Sequence, residues 1–195
     1  MNKPKPIFIA EIKTRSMFGF RAKYSRSTLI DYALRCGDWV SVHTDARFGG
    51  GFDDIYQIRK LTGKPILAKG FHCHDDDVKK AFDLGANHVL VVDRLSRKLL
   101  SDYGDKILFE LSDLNNIEKV SYDFIEWGKF VYNGRDLSSG IGKKYIGNYS
   151  KYREKFKWLC GASLLKEPDD VHRYYPDCDA FIIGENLVEF CKKLK

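Results

Sequence analysis

Nothing in this sequence is apolar for the roughly 20 residues that a membrane-spanning helix needs. The opening "MNKPKP" is polar and proline-broken, without the apolar core of a secretory leader. Cysteine is sparse and unpatterned: Cys36, Cys73, Cys160, Cys178 and Cys191 are odd in number and irregularly spaced, and no C-x-x-C occurs. Reduced thiols in a cytoplasmic protein are the simplest reading. Low-complexity tracts are absent, so disorder is expected only at the first few and last two or three residues. No G-x-G-x-x-G follows the first apolar run, which argues against a dinucleotide fold, and no Gly-Lys-Ser/Thr follows the glycines at 49–51, which excludes a P-loop. Excess charge is modest. The net +6 is spread along the chain, where a nucleic-acid binder gathers it in a stripe. A mild positive balance also suits a pocket for phosphorylated metabolites.

What is there is alternation. Short apolar runs ("PIFIAEIK", "DWVSVHT", "PILAKG", "NHVLVVD", "KILFEL", "KFVYN", "WLCG", "DAFIIG") take turns with helix-like segments that begin on capping residues and often close on glycine. The sequence thus holds eight strand–helix units, "SDLNNIEKV" supplying the fifth helix. Strict alternation argues for parallel strands with helical crossovers, and eight repeats suggest a closed (β/α)8 TIM barrel. With 195 residues, residues 1–195 are expected to form one small α/β barrel domain with short loops. A monomer or weak homodimer is expected.

In such a barrel the active site lies at the C-terminal ends of the strands. Polar residues collect there: Glu11 and Lys13 at strand one, Lys69 at strand three, Glu110 at strand five, Asn133 and then Arg135 at strand six. Side chains alternate along a strand, so Ile7, Ile9, Glu11 and Lys13 share a face, as do Leu67 and Lys69, Leu108 and Glu110, and Val131 and Asn133. If those faces point inward, the polar groups converge on the barrel mouth. Any one of them alone would be read as a solvated strand-end charge or a structural ion pair; the convergence is the signal.

These residues resemble the indole-3-glycerol phosphate synthase family of tryptophan biosynthesis. The family's I-A-E-I-K-x-x-S is matched by "IAEIKTRS", its S-V-L-T-D and F-G-G by "SVHTDARFGG", and its V-L-x-K-D-F by "ILAKGF". Further along, A-x-x-x-G-A-D is matched by "AFDLGANHVLVV", V-E by "FEL", I-N-x-R-D-L by "VYNGRDL" and L-I-G-x-x-L by "IIGENL". The resemblance implies a lyase that closes an indole ring on a phosphorylated carboxyphenylamino-deoxyribulose, with loss of carbon dioxide and water and no cofactor. Lys69 would be the general acid, Glu110 the acid/base carboxylate of dehydration, and Lys13 a substrate-contacting proton-transfer aid. Glu11 and Asn133 would orient these groups. Arg135 and Ser16 would lie near the substrate, Arg135 on its phosphate side. The phosphate is expected by the last two strands, on backbone N–H groups at Gly161 and Gly184, with a helix starting near Glu185. For both glycines a plain turn role is the alternative.

The sequence also departs from the pattern. The family carries an N-terminal segment that packs over the mouth, whereas little sequence precedes the first strand here, so the resemblance implies a short, divergent member. Its strand seven ends E-S-G-I where this sequence has "LCGA", setting Leu159 against the glutamate and Cys160 against the serine. Gly70 replaces the aspartate after the lysine, Met17 the proline after Ser16, and Glu185 the small residue after the last-strand glycine. The alternative is therefore an altered barrel that binds a phosphorylated sugar or nucleotide-like ligand without this turnover. "HCHDDD" at 72–77 has metal-ligand residues, but it sits where an aspartate cap and acidic first turn belong, and no metal is expected. The basic, aromatic "KKYIGNYSKYREKFKW" is the best nucleic-acid candidate and reads equally well as a surface helix, so nucleic acid is not the expected partner.

Overall fold

The computed structural model describes residues 4–72, 74–93, 96–119, 128–135 and 149–194. Eight parallel strands close into a barrel in sequence order. They are β1 (Ile7–Ile12), β2 (Trp39–His43), β3 (Ile66–Lys69), β4 (His88–Val92), β5 (Ile107–Glu110), β6 (Lys129–Asn133), β7 (Trp158–Ala162) and β8 (Ala180–Ile183). Closure is direct, with Ile9 of β1 opposite Ile182 of β8. Around them lie helices α1 (Arg26–Cys36), α2 (Asp53–Arg59), α3 (Asp75–Asp83), α4 (Arg97–Tyr103), α5 (Tyr149–Lys155), α6 (Pro168–Tyr174) and α7 (Leu187–Lys193).

Local chemistry starts these helices. The Ser25 hydroxyl accepts from Thr28 N at the start of α1, and Ser96 accepts from Leu99 N at α4. At α6, Glu167 and Asp170 form a reciprocal capping box with Pro168 in the first turn. "SDLNNIEKV" departs from expectation. Its described part is a 3-10 run over Leu114–Lys119, and Asp113 Oδ1 takes the Asn115 N–H in a local turn. Asparagine and aspartate side chains compete for the backbone in this way and favour turns over α-helix. The stretch "KKYIGNYSKYREKFKW" is described only from residue 149, where α5 begins.

Strand parity divides the core in two. Phe8, Ala10, Ile12, Val40, Val42, Ala68, Val89, Phe109 and Phe130 pack outward against the helices. Ile9, Leu67, Leu90, Leu108, Val131, Cys160, Ala162, Ala180 and Ile182 fill the barrel interior. A repeated device trims the N-terminal rim. Asp38, Asn87 and Asp179, each one residue before a strand, accept from Phe8 N, Ile66 N and Leu159 N respectively. Below the interior layer Trp39 stacks on His88 at 4.2 Å and faces Trp158 at 6.3 Å between centroids, so aromatic rings close the floor. The alternation that builds this interior also aims the last inward residue of each strand at the mouth.

Candidate active site

At the mouth lies a cavity of about 420 Å³, lined by Glu11, Lys13, His43, Lys69, Glu110, Asn133, Arg135, Gly184 and Glu185 among others. That size suits a small metabolite. β1 delivers Glu11 directly above Ile9. Its carboxylate is 3 % exposed, and Oε1 lies 3.1 Å from both Lys69 Nζ and His43 Nε2. Burial alone would raise the Glu11 pKa, but Lys69, and after it His43 and Lys13, hold the carboxyl well below the usual range. Burial would likewise strip the proton from Lys69. The charge of Glu11, reinforced by Glu110, outweighs it and raises the ammonium pKa. Burial lowers the His43 pKa despite Glu11 beside it, so this imidazole is neutral at neutral pH. Its ring stacks on Phe48 at 4.6 Å, and its Nδ1 has no hydrogen-bond partner among the described residues.

Across the cavity a different arrangement holds Glu110. Asn133 Nδ2 donates to Glu110 Oε1 at 2.9 Å, while Asn133 Oδ1 accepts from Ser163 Oγ and Arg135 N at 2.7 and 3.0 Å. The amide of Asn133 is thus fixed from both ends, with its donor facing the carboxylate. Glu110 is 1 % exposed, and its Oε2 has no hydrogen-bond partner among the described residues. Burial raises its pKa, only partly offset by Lys69 and the Asn133 bond. The site therefore sets a strongly paired, anionic Glu11 beside a protonated Lys69, and opposite them a carboxyl that holds its proton more firmly. Two titratable carboxyls pushed apart by environment are what acid/base chemistry requires.

Of the residues singled out in the sequence, Glu11, Lys13, Lys69, Glu110, Asn133, Arg135 and Gly184 share this cavity. Ser16 does not. Its Oγ is turned into the loop after β1, accepting from Phe18 N and Phe20 N at 3.2 and 3.3 Å, and the residue borders a separate shallow depression with Arg15, Met17 and Arg21. Gly161 is also corrected. It lies inside β7 on the outward face, between Tyr132 and Phe181, and a Cβ there would come within 2.4 Å of the Tyr175 ring. The glycine makes room for that ring and does not line the cavity. Leu159, set against the family glutamate, points outward into the layer under the helices; the inward residues of β7 are Trp158, Cys160 and Ala162. Ala162 and Ser163 therefore take the place at the mouth where E-S was sought, still without a carboxylate. Ser163 and the following Leu164 both adopt left-handed φ of 71° and 66°. This conformation costs non-glycine residues about 1 kcal/mol or more each, and here it accompanies the reach of Ser163 to Asn133. The last helix begins at Leu187, two residues beyond the expected start at Glu185. His72 of "HCHDDD" is a core residue, with Nδ1 2.6 Å from Leu90 O and Nε2 3.0 Å from Thr44 Oγ1.

His43 was missed, although its signal was present: Trp39, Ser41 and His43 alternate with Val40 and Val42, so the polar face of β2 points inward.

A closed eight-stranded barrel with buried acid and base groups at its C-terminal mouth has the layout of a TIM-barrel enzyme. The chain belongs to the indole-3-glycerol phosphate synthase family, whose profile matches residues 2–193. It is 28% identical to the indole-3-glycerol phosphate synthase of Sulfurisphaera tokodaii, over 98% of this chain and 82% of that protein. The synthase of Thermoanaerobacter sp. strain X514 is 30% identical over 78% of this chain and 62% of its own length. Among solved structures, 3-hexulose-6-phosphate synthase from Salmonella typhimurium superimposes with a TM-score of 0.69 at 14% identity, covering 96% of both chains. The phosphoribosylanthranilate isomerase of Thermotoga maritima gives 0.62 at 13% identity, over 93% of this chain and 88% of that one. At such identities these structures speak to the fold alone. No helix among the described residues is long and apolar enough to cross a membrane.

Proposed function

We propose that the barrel closes an indole ring on a phosphorylated carboxyphenylamino-deoxyribulose, as a carboxy-lyase of the synthase type. One observation carries the reading. Lys69 and Glu110 face one cavity from β3 and β5, the ammonium paired to Glu11 and the carboxyl with one oxygen that has no hydrogen-bond partner among the described residues. In this reading the ring carbon bearing the carboxylate attacks the sugar carbonyl, and Lys69 gives its proton to the carbonyl oxygen. The carboxylate departs as carbon dioxide, its electron pair returning to the ring. The new hydroxyl then leaves as water with a proton from Glu110, whose pKa burial raises, and the adjacent carbon gives a proton back to the Glu110 carboxylate as the indole double bond forms. Glu11 holds Lys69 in place, Asn133 holds Glu110, and Lys13 and Arg135 receive the anionic parts of the substrate.

The assay is incubation with this substrate, following indole fluorescence; no product at high protein concentration rejects the reading. A second reading is favoured by Ala162, which leaves the mouth end of β7 without a carboxylate. Here the barrel binds a phosphorylated sugar or nucleotide-like ligand without turning it over. Thermal stabilisation by sugar phosphates in the absence of product would select it.

A further inference from the structure

Glu185 sits where two cations meet. Its Oε1 lies 3.1 Å from Lys13 Nζ and its Oε2 lies 3.0 Å from Arg135 Nη2, so each carboxylate oxygen takes one cation. The three groups come from different parts of the barrel: Lys13 just past β1, Arg135 just past β6, and Glu185 just past β8. Each of the two residues has a further contact besides Glu185. The Lys13 ammonium lies 5.7 Å from the Phe20 ring and 5.6 Å from the Phe48 ring, and Arg135 is anchored through its own N–H on Asn133 Oδ1. Glu185 follows Gly184, which has no freedom to change, since a Cβ there would lie 2.0 Å from Glu11 Oε2. Its side chain is 23 % exposed and lines the cavity, so it has solvent to turn into.

We propose that Lys13 and Arg135 form an anion subsite for the phosphate tail of the substrate, and that Glu185 is its built-in occupant, displaced when a phosphorylated ligand enters. This deepens the reading above and rests on it only for the anionic tail. The exchange has a definite selectivity. A carboxylate tail would replace one single negative charge by another and gain little. A phosphate monoester carries about −1.5 to −2 at neutral pH and offers three acceptor oxygens, so it gains on the same two cations. Glu185 thus imposes the same displacement cost on every anion, a cost that phosphate overcomes more readily than a carboxylate does. The small residue that the family pattern has at this place would leave both cations open.

The test is titration calorimetry of the whole chain with inorganic phosphate and, separately, acetate. Glu185→Gln keeps the shape and removes the charge; Glu185→Ser removes both. Each variant is expected to bind phosphate at least about tenfold more tightly than the native chain, with a similar proportional gain for acetate from a weaker starting affinity. Adding Arg135→Gln to Glu185→Gln should erase the gain. Equal phosphate affinity in the native chain and Glu185→Gln, a gain that survives Arg135→Gln, or no phosphate binding by any variant overturns the proposal. Turnover does not enter the measurement, so failure of the ring-closing assay leaves the result standing on its own.

Discussion

At the N-terminal end of the barrel Trp39, His88 and Trp158 close the interior by stacking, whereas at the C-terminal end Glu11, Lys69, His43 and Glu110 close it with buried charge and hydrogen bonds. The same parity rule builds both ends, since each inward face runs from floor to mouth along one strand. The floor removes apolar area from water and has its rim hydrogen bonds completed by Asp38, Asn87 and Asp179. The mouth leaves the buried Glu110 Oε2 without a hydrogen-bond partner among the described residues and holds groups away from their ordinary pKa values. Chemistry is therefore confined to one end, and substitutions at the floor should change stability without touching it.

The largest effect is expected at the mouth. Lys69→Met and Glu110→Gln should each lower ring-closing turnover by roughly 10²–10⁴-fold, the usual contribution of a positioned acid or base. Their stabilities should diverge. Lys69→Met leaves the Glu11 carboxylate without its closest cation and should cost about 3–5 kcal/mol in urea denaturation. Glu110→Gln should cost little at neutral pH. A carboxyl whose folded pKa is raised has a favourable contribution at low pH that is lost as pH rises through the folded value, so the substitution removes a contribution that favours the native protein on the acid side only. Full turnover in either variant would remove that residue from its role.

At the floor the expectation reverses. Trp158→Ala should destabilise the barrel by about 3 kcal/mol, at the lower end for a large ring because Trp158 is only partly buried. Phosphate affinity and the pH profile of the folded protein should stay unchanged. A shifted profile would mean that floor and mouth are coupled.

His43→Leu restores the residue of the family pattern and tests the mouth more gently. His43 is among the groups that lower the Glu11 pKa, so its loss should move the acid limb of activity, or of phosphate binding, upward. Loss of turnover at neutral pH should be no more than severalfold, since Lys69 still pairs with Glu11. An unmoved acid limb would reduce His43 to a packing residue.

The fold was legible because it rests on alternation, and alternation is local. Ile7, Ile9 and Glu11 already declare which face of β1 is inward, and the same reading carries Lys69, Glu110 and Asn133 to one mouth. What escaped depended on register and contact. "WLCG" does not say which residue is last to face inward, so Leu159 was set at a place that Ala162 occupies. Gly161 reads as a phosphate loop until the Tyr175 ring is seen against it. Ser16 is drawn inward by two N–H groups of its own loop, which no motif announces. Glu185 was visible as a departure, but its two cations lie 172 and 50 residues away along the chain.

The smallest effect should come from the second inward histidine. His88 starts β4 at the floor, stacked on Trp39, and its Nδ1 has no hydrogen-bond partner among the described residues. Burial, and after it the charge of Lys129, lowers its pKa from 6.5 to about 4. A histidine with a depressed pKa binds fewer protons folded than unfolded, so the native state loses stability as pH falls from about 6.5 towards 4 and is unaffected above that window. His43 acts with the same sign at the mouth, and Glu110 with the opposite sign, so the native slope alone assigns nothing. The difference between native and His88→Phe does, because phenylalanine keeps the stack on Trp39 without a titrating group. Urea denaturation across this window should give a shallower acid loss in His88→Phe, with the two proteins alike at neutral pH and identical in ligand binding. Equal slopes would place the acid sensitivity at the mouth, and the floor would then be electrostatically silent as well as chemically inert.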